Sequence, residues 1–164
     1  MTTAYIGLGA NIDGPSEQIE SAIKALNALE STSVTQWSCL YQSKPLGPDD
    51  QPDYTNAVAT IETQLSPLAL LDALQNIEKE QGRVKHRHWG ERCIDLDILL
   101  FGAETLSSER LNIPHHEIKN RSFVVEPLLE IAPDLVLPDG THLSEVTPTF
   151  GGNLTRQQRP VIDL

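Results

Sequence analysis

The sequence predicts an α+β domain with a ferredoxin-like, split βαβ core, and three observations carry that prediction. Two stretches repeat their apolar residues every three or four positions, and each is flanked by stretches that alternate with period two. Their order over the first hundred residues is β-α-β-β-α-β, which sets the helices on one face of an antiparallel sheet. The length of 164 residues suits a single domain, 1–164, with additions after that core.

Each element has a local reason. Residues 5–11 (YIGLGAN) read as a strand that runs into a turn at Asp13, Gly14 and Pro15. Gly7 and Gly9 do not make a dinucleotide fingerprint, because the next glycine is Gly14, outside G-x-G-x-x-G spacing. Residues 15–29 read as a helix, with Pro15 in the first turn and Ile19, Ala22, Ile23, Leu26 and Leu29 on one stripe. Residues 32–42 are rich in β-branched and aromatic side chains and predict a strand. Residues 43–52 hold three prolines and a glycine and predict a loop. Residues 54–63 alternate and predict the next strand. Ser66 caps a second helix with Pro67 at its first position, and Gly82 is its expected terminator after Gln81. A basic loop over 83–92 leads to the clearest strand, 94–101, in which Ile94, Leu96, Ile98 and Leu100 are expected on one face. A short hairpin at 104–106, a Pro/His turn and a helix over 122–131 complete the reading.

Composition excludes several classes. Apolar residues at 39% and charged residues at 21% lie outside the disordered regime. No apolar run reaches the ~18 residues of a membrane span, and the N-terminus has no basic, signal-like segment. Cys39 and Cys93 carry no metal or disulfide spacing. A cytoplasmic protein without membrane partners is expected. The net charge of −11 argues against a nucleic-acid partner. Yet eight of the twelve Lys and Arg residues lie between Lys79 and Arg121. Within 83–92 alone, Arg83, Lys85, Arg87 and Arg92 face one acid, Glu91. A local cluster in an acidic chain suits a small polyanion, although a solvated charged loop would have the same composition.

Period two in the strand CIDLDILLF puts Asp95 and Asp97 side by side, away from the apolar face. Alone, such a pair is as readily a solvated polar face. Next to the basic segment it suits Mg²⁺, which takes one or two carboxylates and completes its shell with water and phosphate. His115 and His116 have no third or fourth ligand at zinc spacing; phosphate contact and a plain surface turn both remain open for them. Neither a nucleophile elbow nor a P-loop is present. Tyr54 and Asn56 share a strand face, with Trp89 in the basic loop and Phe123 just after Arg121. Together they could stack and hydrogen-bond a heterocycle, since an Asn amide pairs a donor with an acceptor.

These motifs, in order, resemble the 6-hydroxymethyl-7,8-dihydropterin pyrophosphokinase family. The similarity runs through YIGLGAN, PLGPDDQPDYTNAV, EKEQGRV, HWGERCIDLDILLFG, IPHHEIKNRSFVVEPLLEIAP and LPDG, from residue 4 to 140. The tail beyond carries no functional reading. The resemblance implies transfer of diphosphate from MgATP to the pterin hydroxymethyl group, with release of AMP, in folate biosynthesis. It implies two Mg²⁺ ions on Asp95 and Asp97, and catalytic arginines at Arg83 and Arg92. It implies a pterin pocket of Ser43, Leu46, Tyr54, Asn56, Trp89 and Phe123. Nucleotide contacts would come from Lys85, His88, Trp89 and Arg92 in the basic segment. Further ones would come from Ile98, Arg110, Asn112, His115, His116 and Arg121. The family pattern has arginine at Lys85 and His88, tyrosine at His116, threonine at Asn112 and proline at Lys44. A monomer is expected. Two other classes compete with this reading: a non-catalytic ligand-binding module, which has no need of the carboxylates beside the cations, and a Mg²⁺-dependent nucleotide hydrolase, which leaves Tyr54, Asn56 and Phe123 unexplained.

Overall fold

The first strand is interior to the sheet. In the computed structural model, which describes residues 1–11, 14–43, 54–85, 94–149 and 154–164, β1 (Thr2–Ala10) lies between two antiparallel neighbours. Residues 83–85 are described by backbone alone. On one side β1 pairs with β4 (Tyr54–Thr63), on the other with β5 (Asp95–Phe101). β2 (Thr32–Trp37) and β3 (Tyr41–Ser43) pair with the two halves of β4, and β8 (Leu154–Arg156) adds outside β3. The expected core order is therefore present, with the first and last strands adjacent and both helical crossovers between them.

The strand expected over 32–42 is two strands. Ser38 marks the break: its N–H donates to the Val58 carbonyl, and its hydroxyl accepts from the Val58 N–H. β4 is long enough to serve both pieces, because it runs ten residues.

α1 (Pro15–Asn27) and α2 (Pro67–Lys85) cover one face. Ile19, Ile23, Leu26, Leu70, Leu74 and Ile77 pack there on Ala4, Ile6, Leu8, Ala57, Ala59 and Ile61. α1 starts at Gly14, whose φ of 69° is the left-handed region that glycine enters without a Cβ penalty. α2 starts as its sequence predicts, with the Ser66 hydroxyl accepting the Ala69 N–H at 3.2 Å. It does not stop at Gly82. Gly82 does not adopt the positive φ of a left-handed terminator, unlike Gly14, Gly102 and Gly140, and a helical glycine costs only roughly 1 kcal/mol against alanine. The helix runs on, and Arg83–Lys85, read as loop, are its last turn.

α3 (Ser122–Ile131) covers the opposite face, packing Val124, Val125 and Leu128 on Val58, Leu99 and Leu100. Leu100 was expected with Ile98 and is not. The register with β1 shifts between Tyr5 and Ile6, so that Ile6 pairs with Ile98 but Tyr5 with Leu100. Leu99 is thus an extra residue, and the bulge turns Leu100 toward α3. The small hairpin is displaced to β6 (Leu106–Ser107) and β7 (Asn112–Ile113). Among the described residues, no helix is long and apolar enough to cross a membrane.

Candidate active site

On the α3 side of the sheet, the strand partners form a lateral row. Asp95 is opposite Gly9, Gly9 is opposite Asn56, and Asn56 is opposite Tyr41. One step along, Asp97 is opposite Gly7 and Gly7 opposite Val58. Paired residues point to the same face, so both carboxylates, Asn56 and Tyr54 project together. Asp95 and Asp97 are exposed there, while Leu96 and Ile98 are buried beneath. Two strand spacings, about 10 Å, separate the carboxylate strand from Asn56.

Glycine on β1 keeps the space between them free of side chains. A Cβ at Gly9 would lie 2.7 Å from Asn56 Oδ1, so the Asn56 amide leans over the Gly9 backbone. Ser43, opposite Tyr54 and buried, extends the row of candidate pterin residues to β3. The edge of β5 is held from behind, where Glu78 of α2 accepts the Leu96 N–H at 2.8 Å. That bond fixes the backbone between the two aspartates.

The bulge also places the histidines. The Leu99 carbonyl accepts the His115 N–H at 3.0 Å, which ties the turn after β7 to β5 beside Asp97. His115 and His116 stack with ring centroids 4.9 Å apart and 9° between planes. His115 Nδ1 accepts the Glu117 N–H at 3.1 Å, which leaves Nε2 to carry the proton of the neutral ring. Burial lowers the His115 pKa below its usual 6.5; the Asp97 charge opposes that shift, and Arg121 and His116 add to it. His115 is therefore a neutral N–H donor near pH 7, within electrostatic reach of Asp97 and Arg121. The Arg121 guanidinium lies 5.6 Å from the centroid of the Phe123 ring, at the start of α3. Among the described residues, the Arg121 cation, the neutral His115 donor, two carboxylates and the Asn56 amide thus border one face.

The family model for 7,8-dihydro-6-hydroxymethylpterin-pyrophosphokinase (HPPK) matches residues 5–133. The chain belongs to the HPPK family. A 2-amino-4-hydroxy-6-hydroxymethyldihydropteridine pyrophosphokinase of Haemophilus influenzae is 58% identical over 150 residues, covering 92% of this chain and 94% of that protein. Its Pseudomonas aeruginosa counterpart is 53% identical over 142 residues, covering 87% and 88%. Among solved structures, an HPPK-DHPS in complex with substrates superposes with a TM-score of 0.71 at 13% identity, over 94% of this chain and 46% of that one. Wild-type Plasmodium falciparum HPPK-DHPS with SDX-DHP gives 0.65 at 15% identity, over 88% and 42%. This chain spans under half of those two structures and nearly all of the H. influenzae relative. As an HPPK, it is an ATP-dependent diphosphotransferase acting on hydroxymethyldihydropterin in folate biosynthesis.

Not every residue expected in the HPPK site is brought to this face. Ile98 turns its side chain into the helix-side core at 2% exposure, so only its backbone is available to a nucleotide. Arg110 reaches across the β5 edge to α2, donating to Asp72 at 2.6 Å and to Gln75 at 3.3 Å. Asn112 is exposed on β7, opposite Ser107. Leu46, His88, Trp89 and Arg92 lie outside the described residues, and Arg83 and Lys85 are described only as helix. Among the described residues, no group of three or more His, Cys, Asp or Glu closes a metal shell. Gly9, Glu78 and Glu130 join the residues that the sequence singles out. Gly9 was legible, since Gly7 and Gly9 alternate on the strand face away from Ala4, Ile6 and Leu8.

Proposed function

We propose that the row from Asp97 and Asp95 to Asn56 is where this chain brings MgATP and the pterin together. The observation that carries the proposal is the two exposed carboxylates on one strand face, two strands from the Asn56 amide over glycine. Two carboxylates without a third protein ligand among the described residues fit Mg²⁺, which keeps water and phosphate oxygens in its shell. Asp95 and Asp97 would hold two such ions. When bound, they neutralise charge on the phosphate chain.

The chain's own side chains supply the rest. Asn56 and Ser43 offer hydrogen bonds to the pterin, with Tyr54 and Phe123 as apolar faces; Leu46 and Trp89, outside the described residues, are assigned to the pterin by the family resemblance. His115 Nε2–H and the Arg121 guanidinium donate to phosphate oxygens, and His116 is stacked beside them. Arg83 and Arg92 act on the phosphates in transfer; Lys85, His88, Asn112 and the Ile98 backbone contact the nucleotide, and Arg110 would join them only on leaving Asp72. The pterin hydroxyl oxygen bonds to the β-phosphorus, the bond from that phosphorus to the α,β-bridging oxygen breaks, and AMP leaves; the hydroxyl proton passes to solvent. Positioning and fixed charge do most of the work in such transfers. The chain would act as a cytoplasmic monomer of one domain; the single domain is supported by the six-stranded sheet that takes in strands from β1 to β8.

Asp97→Ala tests the assignment. The residue is exposed, so the variant should melt like the parent. Turnover should fall at least about a hundredfold at moderate Mg²⁺. Near-parental turnover in folded protein contradicts the metal role.

A further inference from the structure

Residues 154–162 lie beyond the stretch matched by the family model, yet they are stitched into the sheet. β8 pairs with β3 in the register Tyr41↔Arg156, Gln42↔Thr155 and Ser43↔Leu154. Past it, the Gln157 N–H donates to the Leu40 carbonyl at 2.7 Å, and Trp37 Nε1–H donates to the Pro160 carbonyl at 2.8 Å. The Arg159 guanidinium lies 4.9 Å from the Trp37 ring centroid, and Ile162 is buried in the helix-side core. This strap spans β2 and β3 across their break at 38–40.

Glu130 of α3 gathers the same pieces from the face. Its carboxylate accepts the Cys39 N–H at 3.0 and 3.1 Å and the Tyr41 hydroxyl at 2.8 Å. It also pairs with Arg156 at 3.4 Å, and its side chain is only 14% exposed. A carboxylate so enclosed needs its donors, and here they come from the break, from β3 and from β8.

We infer that the strap and Glu130 are a positioning device for the pterin end of the site. β3 has three residues and pairs with β4 over only those three. A strand so short is weakly held by one neighbour. The strap supplies its second edge, and Glu130 anchors its start. Together they hold Ser43 opposite Tyr54, and Tyr41 beside Asn56. β5, with Asp95 and Asp97, is separated from β3 by β1 and β4, so the device acts on pterin binding and not on MgATP binding. The inference rests on the pterin assignment of Ser43, Tyr54 and Asn56.

The test uses the full chain and measures pterin and MgATP dissociation constants separately, with amide hydrogen exchange over 41–43. Glu130→Gln removes the charge that faces Arg156 and sets an amide N–H₂ against one of its donors. Pterin affinity should fall about tenfold, a typical effect for hydrogen bonds to a charged group. MgATP affinity should stay within about twofold, and exchange in β3 should quicken. Arg156→Gln should act in the same direction by about two- to threefold, as an exposed partner, with Arg156→Lys restoring the loss; it decides the matter alone if Glu130→Gln does not fold. Equal weakening of both ligands overturns the inference, as does unchanged pterin affinity with faster exchange. Asn56→Ala runs alongside. If it leaves pterin binding unchanged, the pterin assignment falls and the inference with it; if it weakens binding while the clamp variants do not, only the inference falls.

Discussion

Gly9→Ala adds one methyl group at the centre of the site. The new Cβ would lie 2.7 Å from Asn56 Oδ1, where ordinary contact begins near 3.4 Å. The Asn56 amide must therefore give way by about 0.7 Å, since the other party is backbone. Displacements near 1 Å can cost a reaction on the order of a hundredfold, so kcat/KM for the pterin should fall roughly ten- to a hundredfold. Stability should change little: leaving glycine in a strand interior gains about 0.5–1 kcal/mol of backbone entropy, against the cost of the displaced amide. Gly7→Ala is the matched control. The three atoms nearest its Cβ all belong to Leu99, with Cδ2 at 3.3 Å, the far end of a flexible apolar side chain. Thermal melts establish folding for both, and steady-state kinetics with varied pterin reads the effect. Parental kcat/KM in folded Gly9→Ala refutes the reasoning, and so does an equal loss in Gly7→Ala.

Two further outcomes follow from the charges. Burial holds the His115 pKa below the unfolded value of about 6.5, so the unfolded chain takes up more protons in acid. Stability is full above about pH 6.5 and falls as pH drops through that value toward the folded pKa. Urea melts of metal-free protein at about pH 7.5 and 5.5 should show a smaller acid loss in His115→Gln than in the parent, and equal losses contradict the burial argument. Arg110→Ala should weaken MgATP binding less than Arg121→Ala, because Arg110 is engaged with Asp72 on α2 and Arg121 lies within electrostatic reach of His115; calorimetric titration showing the reverse order contradicts this.

Much of the fold could be read from local pattern, because period and capping are local properties. Ser66, Pro67 and the 54–63 alternation were legible for that reason, and so was the face shared by Asp95 and Asp97. Other features escaped the local pattern, among them the bulge, the end of α2 and β8. The bulge at Leu99 depends on register with Tyr5 and Ile6 of β1, and nothing within residues 94–101 signals it. α2 outlasts Gly82 because that glycine stays out of the left-handed region that would end the helix. β8 has no pattern of its own, being three residues long, and becomes a strand because β3 offers an open edge. The site was legible where chemistry and spacing coincide, as at Tyr54 and Asn56. It was not legible where a side chain acts at a distance: Arg110 could not be assigned to Asp72 from the sequence, nor Glu130 to Tyr41 and Arg156.

The products test the account most directly. Phosphorus NMR should follow one mixture of protein, ATP and Mg²⁺, before and after addition of 6-hydroxymethyl-7,8-dihydropterin. If Asp95 and Asp97 gather the phosphate chain and the pterin sits across β1 as proposed, AMP and pterin diphosphate appear in equal amounts, and only once the pterin is present. ADP as the pterin-dependent product would contradict attack at the β-phosphorus, and phosphate released without pterin would contradict the transfer itself.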